Sequence, residues 1–309
     1  MKTEEIVGHQ KVLGLLSAVI SKDSVAHAYL FVGTAQVGKG AVAKWFASQL
    51  VDTKKAPQNL IIVRPDKSIK IKDVRALQHE LSLTNPYGGW RAVILGDLDQ
   101  MTIAAQNAFL KILEEPQTKV IFILLARRLR AVLPTIISRT QLVRLAVVRQ
   151  AEIAADLQKH GVEENRAREL ARLSRGRPGW ARNCIADKDI ESEVEKPAAD
   201  FLKTFSASIF ERCQYAKEIS DSESSWHWLE AWEGVLRDCL LYQQGQGDDL
   251  VYLSLRSEIE KIAKSVSPKS IQQALRGLVA VKKQLEKNAN SKLVFENYFI
   301  NHVPLKEKI

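Results

Sequence analysis

The sequence predicts an α/β domain built on a parallel sheet, followed by regions that are helical throughout. Three observations carry this expectation. Apolar runs of four to six residues alternate with helix-period segments up to about residue 146. A glycine-containing turn joins the first of those runs to a helix, and beyond residue 146 no segment reads as a strand. Short strands that are apolar on both faces need helices on both sides, which is the environment of a parallel sheet.

Taken in order, Ile6 to Ile20 reads as an amphipathic helix with Leu13, Leu16 and Ile20 on one stripe. Ala28 to Val32 is a buried strand, Gly33 to Gly38 a turn, and Gly40 to about Val51 a helix. Leu60 to Val63 is a second strand, and Val74, Leu77 and Leu81 mark a helix face. Ala92 to Leu95 is a third strand, Ala104 to Glu115 a helix stopped by Pro116, and Val120 to Leu125 a fourth strand. Gln141 to Leu145 completes the sheet after a turn at Pro134. Ala151 to Lys159, Glu164 to Leu173 and Gly179 to Ile185 are three short helices. Asp187 to Pro197 is polar and acidic, as expected of a linker. About five helices follow from Ala198, broken near Gln243 to Gly247 and at Pro268.

Composition bounds the function. At 309 residues, with 46% hydrophobic and 26% charged residues, the chain has the make-up of an ordinary globular protein of two or three domains. No apolar run approaches the roughly 20 residues that cross a bilayer, and Met1 to Glu5 contains no secretory apolar core. A cytoplasmic location without membrane contact is expected. Cys184, Cys213 and Cys239 are far apart, so neither a redox pair nor a zinc knuckle is expected, and the six histidines lack metal spacing. The net charge is +9, and from Lys119 to Gln150 there are seven basic residues and no acidic one. That segment is either a solvated basic face or a surface turned toward the phosphates of DNA or of a nucleotide.

Gly33-Thr34-Ala35-Gln36-Val37-Gly38-Lys39-Gly40 fits the phosphate-binding pattern G-x-x-x-x-G-K at seven of its eight positions, between a strand and a helix. Gly33 and Gly38 let backbone N–H groups turn inward, the helix N-terminus favours an anion, and Lys39 would reach the terminal phosphates. The eighth position is Gly40, where a working loop has a Ser or Thr hydroxyl for Mg²⁺. Lys39 therefore has two readings: weak, Mg²⁺-independent binding of phosphate or nucleotide, or a solvated lysine without a ligand.

Further segments resemble the delta-prime and gamma/tau subunits of the bacterial DNA polymerase III clamp loader. They are Val7-Gly8-His9-Gln10, His27 to Phe31, Asn107-Ala108-Phe109-Leu110-Lys111-Ile112-Leu113-Glu114-Glu115-Pro116, Leu133 to Thr140, Asn288 to Leu293 and Glu296-Asn297. The most specific are the Asn107–Pro116 run, similar to N-A-L-L-K-x-L-E-E-P, and Ser138-Arg139-Thr140, similar to S-R-C. The resemblance implies a RecA-like AAA+ domain over 1–146, a three-helix lid over 147–190 and a helical collar over 195–309.

Set against that family's motor subunits, several groups are replaced. Aligning Met101 with the family's D-x-A-x-x-M puts Gly96 where the metal-organising Asp stands, although a shift of one residue would put Asp97 there. The sensor-1 position falls in Ala126-Arg127-Arg128, and Gly179 in Gly176-Arg177-Pro178-Gly179-Trp180-Ala181 replaces the sensor-2 arginine. Phosphoryl transfer rests on electrostatic positioning, and each lost group typically costs about two orders of magnitude in rate. The resemblance thus implies no hydrolysis by this chain. Arg139 remains, matching the finger that acts on ATP held by an adjacent subunit, a role worth about 10³–10⁵ in rate. The family's four-cysteine module is missing from Leu50 to Asp66, so no zinc is expected. Trp226, Leu229, Trp232 and Leu236 form a helical stripe that is either core or subunit contact, with Arg237-Asp238 matching the family's R-D pair.

The implied role is a non-hydrolysing subunit without a cofactor. It would brace a heteropentamer with gamma/tau and delta partners and would meet the sliding clamp and primed DNA through that complex. Two alternatives stand beside it: an ATP-hydrolysing gamma/tau-type motor, and an independent DNA-binding protein.

Overall fold

The computed structural model describes residues 5–304 apart from 53–54, 64–67, 84, 86–87, 116–118, 188 and 222–224. The chain forms two compact units, Met1–Val162 with Gly176–Ala181, and Glu163–Arg175 with Arg182–Ile309.

The first unit opens with α1, Gln10–Ser21, which buries Leu13 and Leu16. It starts four residues later than the periodicity predicts. Gly8 (φ 71) and His9 (φ 62) are both left-handed, a conformation that cannot continue a right-handed helix. Ile6 is buried without being helical. Then come β1 (Ala28–Val32), α2 (Lys39–Leu50), β2 (Leu60–Val63), α3 (Ile71–Ser82), β3 (Arg91–Leu95), α4 (Ile103–Glu114), β4 (Val120–Ala126), α5 (Pro134–Ile137), β5 (Gln141–Arg144) and α6 (Gln150–Lys159). Each predicted strand is present within a residue or so of its expected bounds. Helix α4 is capped by the Thr102 side chain, which accepts from the Ala105 N–H at 3.2 Å. Its expected stop, Pro116, lies outside the described residues.

The sheet has the order β2-β3-β4-β1-β5 and every pairing is parallel. Strands β1 and β4 are buried along their whole length, whereas the outer strands β2 and β5 are partly exposed. The period-2 alternation of a strand separates two cores. Ala28, Leu30 and Val32 join Phe109 and Phe122 on the side covered by α3 and α4. Tyr29 and Phe31 join Trp45 and Phe46 on the side covered by α1 and α2. Both segments singled out by the sequence lie at ends of this sheet's strands: the loop after β1 and the short α5 before β5.

The second unit contains α7 (Glu164–Leu173), followed after α8 (Pro178–Ala186) by α9 (Asp189–Thr204), α10 (Ile209–Ser220), α11 (Ser225–Gln243), α12 (Arg256–Ser265), α13 (Pro268–Glu286) and α14 (Ser291–Asn301). From Asp189 on, the polar stretch expected as a linker is the first half of α9. Of its sparse apolar residues, Val194, Pro197, Ala198, Phe201 and Leu202 are buried, at a spacing that makes one helical face. Pro197 cannot donate to the carbonyl of Glu193, one turn earlier; that carbonyl accepts instead from His227 Nε2 at 2.8 Å. The anticipated breaks are present, with α11 ending at Gln243 and Pro268 in the first position of α13.

Of the tryptophan stripe, Leu229, Trp232 and Leu236 are fully buried. Trp232 stacks on Phe201 (centroids 5.3 Å) and on Tyr298 (5.8 Å), so the stripe is core. Arg212 is also buried. Its guanidinium donates to the carbonyls of Thr204 (2.8 Å), Phe299 (2.9 Å) and Val303 (2.8 Å), tying the ends of α9 and α14 to α10. Asp238, wholly buried, accepts from the N–H groups of Val251 and Tyr252 at 2.8 and 2.9 Å.

Candidate functional site

The loop from Gly33 to Lys39 is fixed on several sides. A Cβ on Gly33 would lie 2.5 Å from the carbonyl oxygen of Leu145, so only glycine fits beside the chain leaving β5. Gln36 is left-handed (φ 58) and Gly38 has φ 114. The Val37 carbonyl can only accept, so His9 Nε2 carries the proton of their 2.8 Å hydrogen bond. The Gln36 carbonyl accepts from the N–H of Gly179, in the first turn of α8, at 2.9 Å.

Lys39 is only 9% exposed, so the solvated reading of this side chain does not hold. Its Nζ turns back on its own loop and donates to the carbonyls of Gly33 (2.6 Å) and Thr34 (2.7 Å). Burial pushes its pKa down to about 8, and nearby Arg127 pushes in the same direction, against Asp97 and Asp99. Gly40 is the second residue of α2 and offers no side-chain ligand.

Gly96 follows β3, its N–H donating to the Val63 carbonyl at 2.9 Å. The neighbouring carboxylates are both engaged by one residue. Asp97, itself left-handed (φ 47), accepts from Arg127 Nε at 3.2 Å, and Asp99 accepts from the Arg127 backbone N–H at 2.8 Å. Thus the residue just after β4, where the resemblance expects a sensor, is a cation that holds the acidic groups beside Lys39. At the second sensor position, a Cβ on Gly179 would meet the Gln36 oxygen at 2.9 Å.

Arg139 lies elsewhere on this unit, just past α5. Its Nη1 donates to the Thr135 carbonyl at 3.1 Å, and its Nη2 pairs with Glu114 Oε1, from the end of α4, at 2.9 Å. The side chain is 38% exposed. Three cations of the basic segment therefore have carboxylate partners outside it: Arg127 with Asp97, Arg139 with Glu114, and Arg149 with Glu152.

Gln106 escaped the sequence reading. Buried in α4, it donates to the carbonyls of Met101 (3.3 Å) and Ala131 (3.0 Å) and accepts from the Leu133 N–H (2.9 Å), fixing the approach to α5. A polar residue directly after Ala105 on the buried face of α4 was the available signal.

The family model described as "DNA polymerase III, delta subunit" matches residues 8–149, and the one described as "DNA polymerase III, delta subunit, C terminal" matches residues 199–302. The chain is 27% identical to DNA polymerase III subunit delta′ of Bacillus subtilis over 93% of this chain and 94% of the relative. It is 34% identical to subunit delta′ of Pseudomonas aeruginosa over 37% of this chain and 41% of that one. Among solved structures, a gamma subunit-related protein of Thermotoga maritima aligns over 94% of this chain and 98% of its own, at 20% identity and a TM-score of 0.43. With models of one family matching both the sheet-bearing and the helical parts, and a delta-prime relative aligned along nearly the whole length, the chain belongs to the delta-prime family of DNA polymerase III clamp-loader subunits.

Proposed function

We propose that this subunit hydrolyses no ATP itself, braces the clamp-loader ring, and supplies Arg139 to ATP bound by a gamma/tau-type neighbour. One observation carries the reading: the Lys39 ammonium is spent on the Gly33 and Thr34 carbonyls. The adjacent carboxylates, which would organise Mg²⁺ in a working site, are held by Arg127. A metal-bound triphosphate would have to break both arrangements and would still find no hydroxyl at Gly40. Arg139, by contrast, has a partly exposed planar fork suited to charge spread over γ-phosphate oxygens.

In this reading residues 1–146 are the AAA+ domain, 147–190 the lid and 195–309 the collar that packs against gamma/tau and delta subunits. The sliding clamp and primed DNA are met through the complex, in the cytoplasm. Among the described residues no helix is long and apolar enough to cross a membrane. The chain needs no zinc and no nucleotide of its own.

The test is to assemble the complex with gamma/tau and delta partners carrying either the native chain or Arg139→Ala. The expected result is unchanged assembly and a large fall in clamp-stimulated ATP turnover. Mg²⁺-dependent ATP cleavage by the isolated chain, abolished by Lys39→Ala, would overturn the proposal in favour of a motor subunit.

A further inference from the structure

Glu114 is the last residue of α4. A carboxylate there faces the negative end of its own helix dipole, an unfavourable place unless a cation off the helix compensates. That cation is Arg139, whose Nη2 is 2.9 Å from Glu114 Oε1. The opposite terminal nitrogen, Nη1, donates to the Thr135 carbonyl at 3.1 Å. The partners come from separate elements and engage the two ends of the fork, Thr135 by a hydrogen bond and Glu114 by an ion pair, which restrains the guanidinium more than either would alone. Nη1 also reaches Ser138 Oγ at 3.5 Å, and the Nε–H, which none of these contacts uses, is left for another acceptor.

We propose that Glu114 is a positioning residue for Arg139, orienting it before the γ-phosphate of a neighbouring subunit arrives. The inference rests on the reading of Arg139 as a residue acting in trans. With side chains 38% and 49% exposed, the pair contributes little to stability. Its effect is on orientation. A free arginine side chain loses much rotamer freedom when it docks, and a fork already held in plane loses less. The carboxylate also competes with phosphate for the guanidinium. A planar bidentate donor gains more from alignment than it loses to one displaceable, solvent-screened acceptor.

The experiment uses the complex assembled with gamma/tau and delta partners and reads clamp- and DNA-stimulated ATP turnover. Glu114→Ala is expected to leave assembly and KM for ATP unchanged and to lower kcat by roughly 10-fold, the scale of a small misplacement at a reacting centre. Glu114→Asp should recover part of the loss, and Glu114→Ala should add nothing to Arg139→Ala. If Arg139→Ala lowers turnover while Glu114→Ala leaves it unchanged or raises it, the positioning role fails and the trans role stands. If Arg139→Ala itself has no effect, both fall together.

Discussion

The backbone N–H of Gly179 donates to the carbonyl of Gln36 at 2.9 Å, and a Cβ on Gly179 would lie at the same 2.9 Å from that oxygen. The resemblance would put an arginine at this position in a motor subunit. This chain instead seats the first turn of α8 directly on the loop after β1.

Gly179→Ala should therefore loosen the loop. The methyl meets a backbone oxygen that cannot rotate away, so the hydrogen bond lengthens and about 1–3 kcal/mol of local stability is lost. Amide hydrogen exchange across Val37 to Lys39 is the measurement. Faster exchange is expected in the variant; unchanged exchange would mean that α8 does not restrain the loop.

Lys39 gives a pH signature. Its pKa is pushed down from 10.5 to about 8 by burial, so between those values the unfolded chain binds the proton that the folded chain has released. Stability from this group therefore rises with pH across that interval, by up to about 3 kcal/mol. Urea unfolding of the native chain and of Lys39→Met, compared from pH 7.5 to 10, should show the difference moving in favour of the native chain. A flat difference would contradict the burial of the charged form.

Asp238 runs in the opposite direction. Burial raises its pKa, against the Val251 and Tyr252 N–H groups and the Arg237 and Arg175 charges. Its ionised form is thus penalised in the fold, and the penalty is relieved as pH falls through the raised value. Asp238→Asn should sit within about 1 kcal/mol of the native chain at pH 7, and the comparison should shift toward the native chain on acidification. Asp238→Ala strands two buried N–H groups and should cost about 2–4 kcal/mol. Denaturation followed by tryptophan fluorescence reports both variants, since Trp232 is in the same helix.

Arg212→Met should be among the most damaging changes in the helical unit. It leaves the buried carbonyls of Thr204, Phe299 and Val303 without their donor, at about 3–5 kcal/mol. Arg212→Lys should recover only part, because one ammonium cannot reach acceptors spread around a planar fork. Equal stability of Arg212→Lys and the native chain would show that charge alone suffices.

What the sequence revealed and concealed divides along physical lines. The strands were legible because a fully buried parallel strand is a continuous apolar run, and β1, β3 and β4 are such runs. The loop at Gly33 to Lys39 was legible because its residue types and flanking elements are local. The first half of α9 was misread because its few apolar residues are diluted by Glu191, Glu193, Glu195 and Lys196, and because Pro197 signals a break. The break does not occur, since His227, thirty residues later, takes up the freed carbonyl. Arg127 with Asp97, Arg139 with Glu114, and Arg212 with Phe299 were hidden for the same reason. Each joins residues tens of positions apart, and no local pattern encodes the partner.

The packing of Gly33 against Leu145 bears on how such chains age. The first glycine of the loop is needed because two stretches of backbone nearly touch there, whatever the loop holds. Selection for a stable sheet would preserve that glycine long after selection for nucleotide had ceased. A subunit can thus keep the outline of an ancestral phosphate cradle as ordinary masonry, and the surviving outline says little about whether the cradle is still in use.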